Sequence, residues 1–394
     1  MACFAKKPGC KGPLGEENPS ICVACQSLLE TCGDMLVQTK KNVKERRGSV
    51  FLLGLNQATG KDLQVAWNTR LDKIVAGLFK SALALSVTKP PEDGWCFCVS
   101  GSGARQEACP YSDLDCFILV DDDSPHQVEI FRNAAKKMSA ILFAIDEDGT
   151  LDLGIRFCHG GLNPLGYNTE SQPELIGTPA HIASLIERSG VNEHIVTGLG
   201  ESRALCGDEG LHDGYRKECE SVRGKSLSAP WGRPMLPGHK KQGLKLIEKA
   251  AQGWKGGLTK DTKEVDIKLD VYRIPQYALG GLALYYGEKE QNSFKLVQAL
   301  SNRGKLGRRA VNAFNTVLEV AAKFRISAHL VQGGEVDTLV HKPTKNATEL
   351  NDQEWKELLA CKFDLEFIAF AARQFCANKV SMLKVNRSNP FATA

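Results

Sequence analysis

The chain has 394 residues, of which 42% are hydrophobic, 24% charged and 7% aromatic. Those proportions are ordinary for a globular protein, so collagen, coiled coil and wholesale disorder are excluded, and about 150 residues per domain gives two or three domains. Lys+Arg total 50 against 46 Asp+Glu, a surplus of +4 that gives no push towards nucleic acid. The 14 cysteines stand out. In a long chain whose opening, MACFAKKPG, lacks a signal-peptide pattern, they predict mostly free thiols in a reducing, cytoplasmic setting. The most apolar stretch, Ile74 to Val87, carries Lys80 and is too short to span a bilayer, so no membrane partner is expected.

Residues 1–47 form a Cys-rich opening that ends in the basic run KKNVKERR. Cys22 and Cys25 make a C-x-x-C pair, and Cys3 and Cys10 are candidates to complete a four-thiolate Zn²⁺ site; packing thiols are the plainer alternative. GLNQATGKD at 54–62 is a near miss to a P-loop. It has five residues between its glycines and Asp where Ser or Thr should bind Mg²⁺, so it is rejected.

Apolar residues at helical spacing, from Leu63 through Trp67, Leu71, Val75 and Phe79, predict a helix to about Ser86, closed by Pro90 and Pro91. WCFCVS at 95–100 and DLDCFILV at 113–120 predict two strands. A helix is expected from Pro125 to about Ile145, and a third strand over 151–157. After residue 178 the strand signals fade, and 178–219 predicts two or three helices. Residues 224–240 are rich in Gly, Pro and Ser and predict a linker. Beyond it, helices are expected over about 241–253, 266–287, 290–302, 306–330 and 350–376. The expected fold is α+β: a small mixed sheet with flanking helices over 48–223, then an all-helical domain over 241–387.

The chemistry concentrates in residues 99–120, VSGSGARQEACPYSDLDCFILV. Residues two apart on an extended chain share a face, so Asp113 and Asp115 present two carboxylates together. At about 6 Å they repel by about 3 kcal/mol at an effective dielectric near 20. A divalent cation relieves that repulsion, and Mg²⁺ or Mn²⁺ suits carboxylate and phosphate oxygens. Gly101 allows close approach of a polyphosphate, Ser102 adds a hydroxyl and an N–H, and Arg105 can clamp a phosphate. A nucleoside triphosphate (NTP) with its metal fits these parts, with an acceptor attacking the α-phosphate. Buried cysteine behaves as a small hydrophobe, so Cys96, Cys98, Cys109, Cys116 and Cys158 are read as packing. The basic stretches at 40–47, 239–260 and 303–309 are read as solvated faces or as the lining of an anionic cleft.

This segment resembles the signature of the DNA polymerase β-like nucleotidyltransferases. Its form, Gly-Ser-x-x-Arg-x-Glu then Ser-Asp-x-Asp, is closest to the catalytic region of PII protein uridylyltransferase and its relatives that carry a helical substrate-binding domain. GIRFCHGGLNP at 154–164, LGESRALCGD at 199–208 and VDIKLDVYRIPQYALGGLALYYG at 265–287 are similar to further segments of those relatives. The resemblance implies that Asp113 and Asp115 bind metal. It also implies that a third carboxylate, for which Asp152 is the candidate with Asp146 and Asp148 as rivals, supports the metal or the attacking group. Lys268 is implied as a phosphate contact. Arg203 and Asp208 also match a segment of those relatives, and they are read as a structural ion pair or helix cap. The Gly-Gly of the PII enzyme's own helical motif is not matched around Lys268, which leaves the acceptor open. A protein hydroxyl is the acceptor the resemblance implies, through adenylylation or uridylylation. The alternative is a nucleotide-binding or scaffold module without catalysis, using its helical half for protein interaction.

Overall fold

The computed structural model describes residues 59–145, 162–164, 173–186, 198–224, 238–256, 258–259, 261–341, 347–381 and 390–392. It is α+β, with small mixed sheets and many helices. The chain divides into two compact units, one of residues 1–49, 69–104 and 111–222, the other of residues 50–68, 105–110 and 223–394.

In the first unit, helix α1 (Gly60–Ala84, counted here from Thr69) buries Leu78, Phe79, Ala82 and Leu83. Strand β1 (Trp95–Ser100) follows, then a single turn α2 (Gly101–Ala104), β2 (Cys116–Val120), α3 (Pro125–Ile145), β3 (Ile176–Gly177), α4 (Pro179–Ser184), β4 (Ser202–Gly207) and α5 (Glu209–Gly224). The sheet order is β3-β2-β1-β4, with β2/β3 parallel and the other pairs antiparallel. Every residue of β1 and β2 is buried, which is why both read as continuous apolar runs rather than alternating ones. Phe79 stacks on Phe97 at 4.3 Å between ring centroids, fixing α1 to the sheet.

Strand β4 corrects the reading of 178–219 as helices alone. Its residues, SRALCG, are weak strand formers and only one of the six is buried. Pairing with β1 makes them a strand, which local propensity does not show. The expected strand over 151–157 lies outside the described residues.

The second unit is helical around one large core, as expected. It holds α6 (Gly238–Gly253), a wide turn of π-helix (Ile267–Tyr272) leading into α7 (Arg273–Tyr286), α8 (Ser293–Asn302), α9 (Arg308–Gln332), α10 (Asp352–Ala360) and α11 (Lys362–Ser381). The helix expected over 350–376 is two helices, broken at Cys361. A small sheet of β5 (Glu264–Asp266), β6 (Thr338–Val340) and β7 (Thr348–Glu349) adds to the helices. No helix among the described residues is long and apolar enough to cross a membrane.

Helices α6 and α7 meet at a pair of glycines. A Cβ on Gly243 would stand 2.6 Å from the Gly281 carbonyl oxygen, and one on Gly281 would stand 2.6 Å from that of Gly243. Gly281→Val is therefore expected to destabilise the protein by about 1–3 kcal/mol through overpacking. Gly214→Ala, at a helical position with nothing within 4 Å of the added carbon, is expected to stabilise by about 0.5–1 kcal/mol. Urea unfolding of the two variants and the parent checks both signs.

Candidate functional site

The site grows out of the β1/β2 ladder, which pairs Trp95 with Val120 and ends at Val99 with Cys116. One further step continues it: the Ser100 N–H donates to the Asp115 carbonyl at 2.9 Å. At Gly101 the chain turns away into α2, so β2 loses its partner. That is why the strand expected from Asp113 begins only at Cys116. Asp113, Leu114 and Asp115 remain extended, with Leu114 buried and the two carboxylates half-buried on either side of it.

Asp115 is held closely. Its Oδ1 accepts from the Leu162 N–H at 3.1 Å, while the Cys116 N–H donates to the Leu162 carbonyl at 2.8 Å. Its Oδ2 faces Gly101, where a Cβ would stand 3.0 Å away, and Gly101 has φ +54°. Both facts require glycine there. The Gly101 N–H is already committed to the Glu201 carbonyl at 3.2 Å, so the backbone donor at this turn goes to the protein. Ser102 follows inside the single turn α2, half-buried.

Glu201 contributes its backbone carbonyl to the turn at Gly101, a contact the sequence does not signal. Residues 198–202 are pinned beside Gly101. Ser100 Oγ donates to the Gly198 carbonyl at 2.7 Å, and Tyr215 OH to the Leu199 carbonyl at 2.6 Å. Ser202 Oγ lies 3.1 Å from His212 Nε2. Burial of His212, helped by the nearby Arg216 charge, pushes its pKa down to about 4. Arg203 pairs with Asp72 at 2.9 Å and also donates to the Gly103 carbonyl, while Asp208 caps α5 by accepting from Gly210 N–H at 2.8 Å.

Two expected site residues belong to the second unit. Arg105 Nε donates to Glu107 at 3.1 Å. Lys268, on the π-turn, reaches Glu335 at 2.7 Å and Asp337 at 4.0 Å. Burial pushes the Asp337 carboxyl up, but the bond with His329 and the charge of Arg325 outweigh it and hold the group well below the usual carboxylate range.

The eight described cysteines are free thiols. Cys96 and Cys98 have their sulfurs 3.7 Å apart in the core, where burial raises the Cys98 thiol, and burial pushes Cys206 up to about 12. Such thiols stay protonated and serve as packing rather than as nucleophiles. Asp152, its rivals Asp146 and Asp148, Cys158, and the candidate zinc ligands Cys3, Cys10, Cys22 and Cys25 lie outside the described residues.

Among the described residues no group of three or more His, Cys, Asp and Glu side chains is placed to hold a metal. The donor set of Asp113 and Asp115 is all oxygen. Two carboxylates suit a hard divalent ion whose remaining positions are filled by phosphate oxygens and water.

A family model described as "Putative nucleotidyltransferase DUF294" matches residues 56–162, a span that contains Gly101, Ser102, Asp113 and Asp115. This segment is thereby related to a nucleotidyltransferase family. No curated protein matches the chain, so the finer likeness to PII protein uridylyltransferase has no counterpart there.

Gly101→Ala is expected to cost about 1–2 kcal/mol for a left-handed alanine and to displace the Asp115 carboxylate; a thermal melt and a crystal structure of the variant check the two parts. His212 sets a pH dependence. Its folded pKa lies below its unfolded value near 6.5, so the unfolded state binds the extra proton between them. Stability should be full above pH 6.5 and fall towards pH 4, by at most about 3 kcal/mol. In His212→Gln, urea midpoints measured across that window should show a flatter slope.

Proposed function

We propose that the protein is a metal-dependent nucleotidyltransferase that moves a nucleoside monophosphate from an NTP to an acceptor, most readily a protein hydroxyl. The acceptor oxygen attacks the α-phosphorus, the bond to the bridging oxygen breaks, and pyrophosphate leaves. The single observation that carries this reading is the Asp115 carboxylate, oriented by Leu162 N–H and facing a glycine that leaves room for it. Two half-buried carboxylates two residues apart repel each other, and a divalent cation bound between them relieves that repulsion.

Asp113 and Asp115 would hold the divalent ion, Mg²⁺ or Mn²⁺, which when bound supplies neutralisation of the triphosphate charge. Gly101 and Ser102 would line the phosphates, with Arg105 and Lys268 as cationic contacts. The attacking hydroxyl must pass its proton to a base. Asp152 is the candidate for this or for metal support. The protein acceptor and a cytoplasmic setting rest on the family resemblance and the free thiols. A candidate Zn²⁺ site at Cys3, Cys10, Cys22 and Cys25 is a separate proposal, resting on the C-x-x-C spacing.

A second reading is a nucleotide-binding scaffold without catalysis. It is favoured by one observation, that no third metal-ligating side chain joins the pair among the described residues.

Incubating the protein in lysate with labelled ATP, UTP, GTP and CTP plus Mg²⁺ or Mn²⁺ separates the two. Transfer of label to a protein is expected, and to fall at least about a hundredfold in Asp113→Ala and Asp115→Ala. Asp152→Asn is expected to lower turnover as the substitution of the third carboxylate. Transfer that survives both aspartate substitutions removes the site, and nucleotide binding with no transfer or pyrophosphate release favours the scaffold.

A further inference from the structure

The Gly-Ser and Asp-x-Asp halves of the motif are joined by residues 103–112, and the middle of that connection behaves unlike its ends. Residues 105–110 belong to the second unit, although the residues on both sides belong to the first. Within the second unit this six-residue segment is tied down along its length. Asn292 Nδ2 donates to the Arg105 carbonyl at 2.8 Å. Asn68 makes two bonds to Ala108, receiving from its N–H at 3.1 Å and donating to its carbonyl at 3.0 Å. His329 Nδ1 bonds the Pro110 carbonyl.

The central anchor is Glu107, only 1% exposed. Its carboxylate takes three donors: Arg105 Nε at 3.1 Å, the Ser293 N–H at the first turn of α8 at 2.5 Å, and the hydroxyl of Tyr272. Burial, with the negative charge of Glu107, raises Tyr272 well above its ordinary pKa and keeps it a donor. Two non-glycine residues near the ends of the segment, Gln106 (φ 58°) and Tyr111 (φ 70°), adopt left-handed backbone conformations. Such strain persists only where the surroundings overdetermine it. A merely space-filling connection needs neither the strain nor a buried carboxylate.

We propose that Glu107 is a positioning residue for nucleotidyl transfer: it straps residues 105–110 onto the helical unit, orients Arg105, and so fixes the course of the chain between Ser102 and Asp113. This rests on the nucleotidyltransferase reading above. It also gives the glutamate of the Arg-x-Glu part of the signature a role of its own, beside the phosphate contact proposed for Arg105. The carboxylate must accept every bond it makes. Glutamine in its place turns one of its two terminal groups into a donor, which then faces Arg105, Tyr272 or the Ser293 N–H, all donors themselves.

The test uses the full chain with Glu107→Gln, Tyr272→Phe and the double variant. It reads steady-state transfer, thermal melting, and hydrogen exchange of the amides over 105–110. In Glu107→Gln, kcat is expected to fall at least about tenfold with KM for the NTP within about threefold, at a temperature where the variant is fully folded. Tyr272→Phe should lose less, and the double variant no more than Glu107→Gln alone, because Tyr272 acts through Glu107. Exchange over 105–110 should quicken in step with the loss. Transfer by the parent with unchanged kcat in Glu107→Gln, or a loss that only tracks the unfolded fraction, overturns the strap while leaving the activity in place. A parent protein that transfers no nucleotide removes the reading on which the strap depends, and the exchange data then report a structural clamp alone.

Discussion

The arrangement of the candidate site depends on a missing atom. At position 101 a Cβ would stand 3.0 Å from Asp115 Oδ2, and the residue already has a positive φ. The β1/β2 ladder brings the backbone of the turn and the carboxylate to this distance, and Leu162 holds the other carboxylate oxygen. A side chain at 101 would drive the carboxylate from the place the ladder sets for it. The remaining features of the first unit serve this contact: α1 packs Phe79 against β1, β4 flanks β1 on its other side, and residues 198–202 are pinned beside the turn.

The second unit is stabilised in a different way. It has a large apolar core, yet several charged or polar groups lie within it, among them Glu107, Arg325 and His329. Each is satisfied by named partners. Arg325 bonds Asp337 at 2.8 Å and stacks over Tyr272 at 4.9 Å, and Asp337 also bonds His329. Removing one member of such a network leaves others buried without partners, which costs more than the network contributes relative to an apolar core. A network like this specifies one arrangement of the helices around residues 105–110 rather than adding bulk stability.

Much of the fold was legible in sequence. The helix from Leu63, the all-apolar strand at 95–100, the helix from Pro125 and the helical second half follow from hydrophobic period and from proline and glycine punctuation. The i, i+2 spacing of Asp113 and Asp115 was legible as an expectation of a shared face on an extended chain, and both are half-buried on either side of buried Leu114. Strand β4 was not legible, since SRALCG has no strand-like pattern and becomes a strand only by pairing with β1. The three strands β5, β6 and β7 were missed for the same reason, being two or three residues each.

By itself, then, the sequence determined the α+β fold class and laid out the Gly-Ser and Asp-x-Asp motif on which the proposed nucleotide and divalent-ion site rests. Those properties are local, set by residue types a few positions apart. Tertiary structure alone decided which groups each motif residue meets. It brought the Glu201 carbonyl to Gly101 across a hundred residues, and set Lys268 beside Glu335 and Asp337. It also tied Glu107 to Tyr272 and Ser293. Contacts between residues so far apart in the chain depend on sheet pairing and helix packing, and neither leaves a periodic signature in the residues it joins.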